Sequence, residues 1–206
     1  MIRSTLIACL IPAVSLSSPA WADGSFYAKV FGGVSDIQDD MLTFGGSVSA
    51  TDYDTGTMFG GAIGYDYAGS PWRSEVEFAY RTADATPAAS VGTTGDFAST
   101  SLMINGIYAF NTSGPLTPYA GLGIGVMTEV DFDIDAGPAA GEYNDSGVFA
   151  AQVMVGAEFA VSDRTALFAE LRYFTAGSQT LDGPGGATIE ADYDTVDALI
   201  GLSIRF

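Results

Sequence analysis

Apolar and polar residues alternate with a period of two in eight stretches of roughly ten residues, the spacing of half-buried strands. The stretches are Ser25–Ser35, Thr57–Tyr67, Trp72–Thr82, Ala98–Phe110, Thr117–Thr128, Val148–Ala160, Ala166–Phe174 and Thr195–Phe206. Between them, short connections (68–71, 111–116, 161–165) alternate with long ones (36–56, 83–97, 129–147, 175–194). That rhythm predicts an all-β fold, an eight-stranded antiparallel up-and-down transmembrane β-barrel with short turns at one end and long loops at the other. The long connections enter their descending strands through related text, Thr51-Asp52-Tyr53-Asp54-Thr55, Glu142-Tyr143-Asn144-Asp145 and Ala191-Asp192-Tyr193-Asp194-Thr195, a loose repeat of hairpins.

The two faces of each stretch differ in charge. In Trp72–Arg81 one face reads Trp, Ser, Val, Phe, Tyr and the other Arg, Glu, Glu, Ala, Arg. Across all eight stretches no Asp, Glu, Lys or Arg falls on the apolar face. A charge facing lipid at mid-bilayer costs about 2–4 kcal/mol, so this sorting has a physical cause. In a water-soluble sandwich the same apolar face would be the core. The aromatic residues favour the membrane reading: Phe26, Tyr65, Tyr67, Trp72, Tyr108, Phe110, Phe159 and Phe206 lie on the apolar face near the short-turn end, where an interfacial girdle belongs.

The first residues are of another kind. Arg3, an apolar run to about Leu16 and Ala20-Trp21-Ala22 form an export signal, residues 1–22, cleaved after Ala22, which leaves 23–206 as the barrel domain. Leu6-Ile7-Ala8-Cys9 resembles a lipoprotein box, but the apolar stretch runs on past Cys9. No other cysteine and no histidine are present. The formal net charge of −18 sets nucleic acid aside as a partner.

By parity Lys29, Asp66, Arg73, Glu75, Glu77, Arg81, Asn105, Gln152, Glu158, Glu170, Arg172 and Arg205 face inward. Eight strands leave an interior only wide enough for side chains. These groups are expected to pair as a polar plug, with Glu75, Glu77 and Glu170 against Arg73, Arg81 and Arg172; a narrow ion path is the other reading. Gly121, Gly123 and Gly125 form GxGxG on a strand, not the GxGxxG of a phosphate loop. They also face inward, and are expected to clear space for Arg73, Arg172 and Phe168. Asp131, Asp133, Asp135 and Glu142 occupy positions 1, 3, 5 and 12 of a calcium-loop frame. Position 6 is Ala136 and the flanks read as strands, so an extended strand top carrying solvated acids is preferred to a metal site.

TPYAGLGIGV (117–126), FAAQVMVGAEF (149–159), LFAELRYF (167–174), LIGLSIRF (199–206) and SLMINGIYAF (101–110) together resemble the eight-stranded outer-membrane barrels of the OmpA-like transmembrane domain and opacity-protein group. The resemblance implies insertion in the outer membrane as a monomer after Sec export. It implies contact with outer-membrane lipid and lipopolysaccharide, and Phe206 as the signal read by the barrel assembly machinery. No peptidoglycan-binding module follows Phe206, so a tethering role is not expected. Hydrolytic barrels resembling this group mostly use a histidine base, so no enzyme, cofactor or catalytic residue is expected. Three roles stay open: a structural, surface-exposed envelope protein, a small cation-leaning channel, or an adhesin presenting acidic loops.

Overall fold

A computed structural model describes residues 24–37, 40–44, 47–53, 55–87, 95–134, 140–182 and 188–206. The export signal and Asp135 lie outside them. Among the described residues eleven strands occur in chain order: β1 (Ser25–Ile37), β2 (Asp40–Phe44), β3 (Ser47–Tyr53), β4 (Gly56–Asp66), β5 (Trp72–Pro87), β6 (Gly95–Ala109), β7 (Leu116–Ile134), β8 (Gly141–Asp145), β9 (Val148–Ala160), β10 (Thr165–Asp182) and β11 (Thr188–Arg205). Every pairing is antiparallel, and β1 closes on β11, so β1, β4, β5, β6, β7, β9, β10 and β11 form an eight-stranded barrel. The first short turn bends at Gly69, whose φ of 68° lies in the left-handed region that glycine adopts freely.

The eight stretches are the barrel strands, but four connections read as loops are walls. The strands β5, β6, β7, β10 and β11 run well past the predicted ends, and β2, β3 and β8 pair onto them. β3 pairs with β5, β2 with β11, and β8 with both β7 and β10, so a second eight-stranded ring stands on the first. The physical reason lies in the side chains at the junction. Ile37, Ala83, Phe97, Met103, Met127, Val130, Tyr143, Ala150, Phe174, Ala176 and Tyr193 are buried together and form a hydrophobic cluster inside the barrel. At the same level the outward positions turn polar: Asp36, Asp84, Glu129 and Thr128 are exposed.

The wall is therefore polarised in two opposite senses. Lower down, the outside is apolar and the inside charged; above, the outside is polar and the inside apolar. On β11 the outward positions from Phe206 to Val196 are apolar throughout. Ten steps of about 3.3 Å at a tilt near 45° span roughly 23 Å, close to the ~25 Å apolar band of such barrels. The upper ring stands above that band, on the buried apolar cluster at the junction. A bulge marks the transition on β7, where Met127 and Val130 are both buried and the register to β6 shifts between Thr100 and Ser101.

At the opposite end the aromatic rings touch one another. Phe206, Phe26, Tyr65 and Tyr67 form one chain of contacts, and Trp72, Tyr108 and Phe110 a second, with centroid separations of 4.9–6.5 Å. Phe206 is tied down by its backbone N–H, which donates to the Phe26 carbonyl at 3.0 Å.

Candidate functional site

The candidate site is the charged lumen of the lower ring. Lys29, Arg73, Glu75, Glu77, Arg81, Glu158, Glu170 and Arg172 are all buried there, with Arg205 half-buried at the short-turn mouth. Strand alternation puts them inside, and closure of the barrel then forces each to find partners.

They divide into three tiers. In the lowest, Lys29 Nζ lies 2.6 Å from Glu75 Oε1, and the Tyr27 hydroxyl donates to the same oxygen at 2.7 Å. Arg73 Nη1 donates to Glu158 Oε2 at 2.8 Å, while Arg205 bridges Glu158 and Asp66 at 3.6 Å each. In the middle tier Arg172 grips two carboxylates. Its Nη1 and Nη2 donate to the two oxygens of Glu77 at 2.6 and 2.9 Å, and Nη2 also donates to Glu170 Oε1 at 2.7 Å. Asn105 donates to Glu77 at 3.1 Å, Gln152 to Asn105 at 2.8 Å, and the Tyr119 hydroxyl to Glu170 at 2.9 Å. In the highest tier Arg81 Nη2 donates to Asp197 Oδ2 at 2.9 Å, and the other oxygen of Asp197 accepts from Ser35 at 2.6 Å and Thr195 at 3.0 Å.

The pairing differs from the expected one. Arg73 does not pair with Glu75 or Glu77; it reaches Glu158 and, through Nε at 3.5 Å, Asp66. Arg81 pairs with Asp197, a residue absent from the candidate set. Asp197 occupies an inward position on β11, 0% exposed, and the same parity rule that found the others finds it. Tyr27 and Tyr119 were missed as network members because an aromatic residue gives no charge signal; only their inward register identifies them.

Apolar packing closes the tiers from above. The Arg81 guanidinium carbon lies 4.3 Å from the centroid of Phe174, which packs edge-on against Tyr193, and Tyr193 stacks on Phe97 at 4.9 Å. Burial pushes the Tyr193 phenol up to about 12, so it stays a neutral hydroxyl within hydrogen-bonding distance of Ser99 Oγ, at 3.3 Å. The Asp-Tyr-Asp text now has a physical meaning: Tyr143 and Tyr193 enter the apolar cluster, while Asp194 lies on the other face of the wall.

Glycines make the room, but for other neighbours than expected. A Cβ at Gly123 would collide with Asn105 and Gln152, one at Gly121 with Met154, and one at Gly125 with the Leu102 carbonyl. The clearance thus serves adjacent strands, not Arg73, Arg172 or Phe168. Phe168 instead lies across its own register partner Gly201, as Tyr27 does across Gly64 and Tyr119 across Gly156. We predict that Gly123→Leu costs about 1–3 kcal/mol by overpacking, whereas Leu122→Ile on the outer wall changes little. Equal urea midpoints for the two refolded variants would contradict the inward placement.

The acidic frame lies elsewhere. Asp131 and Asp133 are in β7 and Glu142 is in β8, with Asp133 and Glu142 as backbone register partners and Asp131 opposite Asn144. These acids therefore sit on a hairpin of two paired strands rather than around a loop, and among the described residues no group of three or more Asp, Glu, Cys or His side chains is placed so as to hold a metal ion.

A family model described as outer membrane protein beta-barrel domain matches residues 6–206. The chain is 27% identical to outer membrane protein PagN of Salmonella typhimurium over 238 aligned residues, 96% of this chain and 97% of that protein. Among solved structures, OprG of Pseudomonas aeruginosa aligns with a TM-score of 0.67 at 17% identity, over 90% of this chain and 97% of its own. Neisserial surface protein A aligns with a TM-score of 0.59 at 17% identity, over 89% of this chain and 99% of its own.

Proposed function

The chain belongs to the outer membrane protein β-barrel domain family, and from that premise we propose that it is a closed wall protein of the outer membrane whose upper ring is offered to the outside. One observation carries the reading: the lumen is filled in series by three ion-paired tiers and an apolar cluster above them. An ion crossing it would have to break the Arg172 bidentate pair, then the Arg81–Asp197 pair, and then pass the apolar cluster. Buried pairs broken one-sidedly cost about 3–5 kcal/mol, a large barrier to conduction. In a chain without histidine we assign no catalytic step to the lumen.

The exposed acids Asp36, Asp84 and Glu129 give the upper wall an anionic exterior, which suits contact with cationic partners or cation-bridged lipopolysaccharide. Export through the Sec pathway with loss of residues 1–22 and a monomeric state complete the proposal.

Planar-bilayer recording tests it. The refolded barrel is expected to give no conductance steps. Steady, cation-selective steps that vanish on Glu77→Gln would replace the closed wall by a channel.

A further inference from the structure

A groove crosses the lipid-facing wall of β9, β10, β11 and β1. Its lower rim is a row of large side chains that are register partners across the four strands, Phe159, Leu167, Leu202 and Val30. The next row up steps down to Ala157, Ala169 and Gly32, with Ile200 standing between them. The hollow measures about 750 Å³, and its floor reaches through to the backs of Phe31 and Phe168. A second hollow of about 700 Å³ continues it upward past Val155 and Leu171. Three interstrand spacings of about 4.8 Å make the groove roughly 14 Å long before that continuation, a fair share of an extended acyl chain.

The turn 161–164 joins β9 to β10 directly below this groove, on the short-turn side of the band. Its Asp163 and Arg164 are both exposed, and among the described residues neither has an ion-pair partner. Arg164 is also singular. Of the basic residues from Lys29 onward, four are buried in the lumen and Arg205 is half-buried; only Arg164 is fully exposed. A chain of net charge −18 thus places one free cation and one adjacent anion at the foot of this apolar groove.

We propose that the groove and this turn form a binding site for one glycerophospholipid of the periplasmic leaflet with a zwitterionic phosphoethanolamine headgroup. An acyl chain lies over Ala157 and Ala169, the phosphate pairs with Arg164, and the ammonium pairs with Asp163. The charges select this class: an anionic headgroup would leave Asp163 unpaired and repelled, and a phosphocholine would satisfy Arg164 but could not hydrogen-bond to Asp163. The site is independent of whether the lumen conducts, so the conductance experiment and this one fail separately.

The test is native mass spectrometry of the barrel refolded in vesicles of equal phosphatidylethanolamine, phosphatidylglycerol and phosphatidylcholine, then released into mild detergent. One retained phosphatidylethanolamine per barrel is expected. Ala169→Phe, which fills the groove from the lipid side, and Arg164→Gln, in an exposed turn, are each expected to lower retention about tenfold, the equivalent of one charge-assisted contact. Heat-modifiable gel migration verifies folding; if Ala169→Phe does not fold, Arg164→Gln carries the test alone. Retention unchanged in the folded variants, equal retention of the three lipids, or a protein dimer with the groove covered by a second copy would each overturn the proposal.

Discussion

Arg172→Ala is expected to lower the unfolding free energy of the refolded barrel by about 3–5 kcal/mol, the cost of removing one partner from a buried ion pair. Arg172 is fully enclosed and, among the described residues, provides the only guanidinium for Glu77 and Glu170, holding both through four donor contacts. Alanine leaves two carboxylates facing each other without it. Asn105 and Tyr119 still donate to them, but neither supplies a positive charge. Adding Glu77→Gln and Glu170→Gln to an Arg172→Met background removes the uncompensated charges, and most of the lost stability should return. Urea unfolding in lipid vesicles, followed by tryptophan fluorescence and gel migration, measures both. A single variant within 1 kcal/mol of the parent would mean that the middle tier is not what holds the barrel shut.

The same tier shows what could be read before the structure. Inward placement of Arg172, Glu77 and Glu170 follows from period two alone, because one-sided burial fixes parity once a strand is located. Who pairs with whom does not follow. Partners across a barrel depend on strand tilt and stagger, which slide one strand's rows against those several strands away. Thus Arg73 on β5 meets Glu158 on β9, 85 residues later, rather than Glu75 beside it on the same strand. Asp197 was legible by parity yet passed over, since a lone acid in a run of Val, Ala and Leu gives little weight beside the denser β5 pattern.

The upper ring was hidden for a different reason. Segments such as Ala83–Phe97 are rich in small polar residues, and in a membrane barrel such text reads as loop. Once the wall leaves the lipid, however, the rule reverses: acids and threonines face out and tyrosine or phenylalanine faces in. Tyr193-Asp194 alternates as faithfully as any lower segment, but with the opposite sense of polarity. The bulge at Thr128 also breaks the count along β7, so parity carried upward from Tyr119 would put Val130 outside, whereas it is 1% exposed.

That reversal gives the second large effect. Leu122→Arg places a charge at the middle of the apolar band, where Leu122 is 67% exposed on the outer wall with Gly106 and Val153 as its register partners. The expected cost is about 2–4 kcal/mol, because no water reaches that depth and the side chain can only snorkel partway. Glu129→Arg, seven residues further along the same strand and also exposed, lies beyond the bulge and should cost less than about 0.5 kcal/mol. The contrast is a measurement of where the bilayer ends. If both variants lose similar stability in vesicles, the lipid extends past Thr128 and the apolar cluster of Phe97, Phe174 and Tyr193 lies within the membrane. If Leu122→Arg loses stability in vesicles but not in a short-chain detergent, the penalty belongs to the hydrocarbon itself and not to the packing of β7 against β6 and β9. The two-step polarity of the wall requires the first variant to suffer and the second to be tolerated, on a single strand whose two halves obey opposite rules.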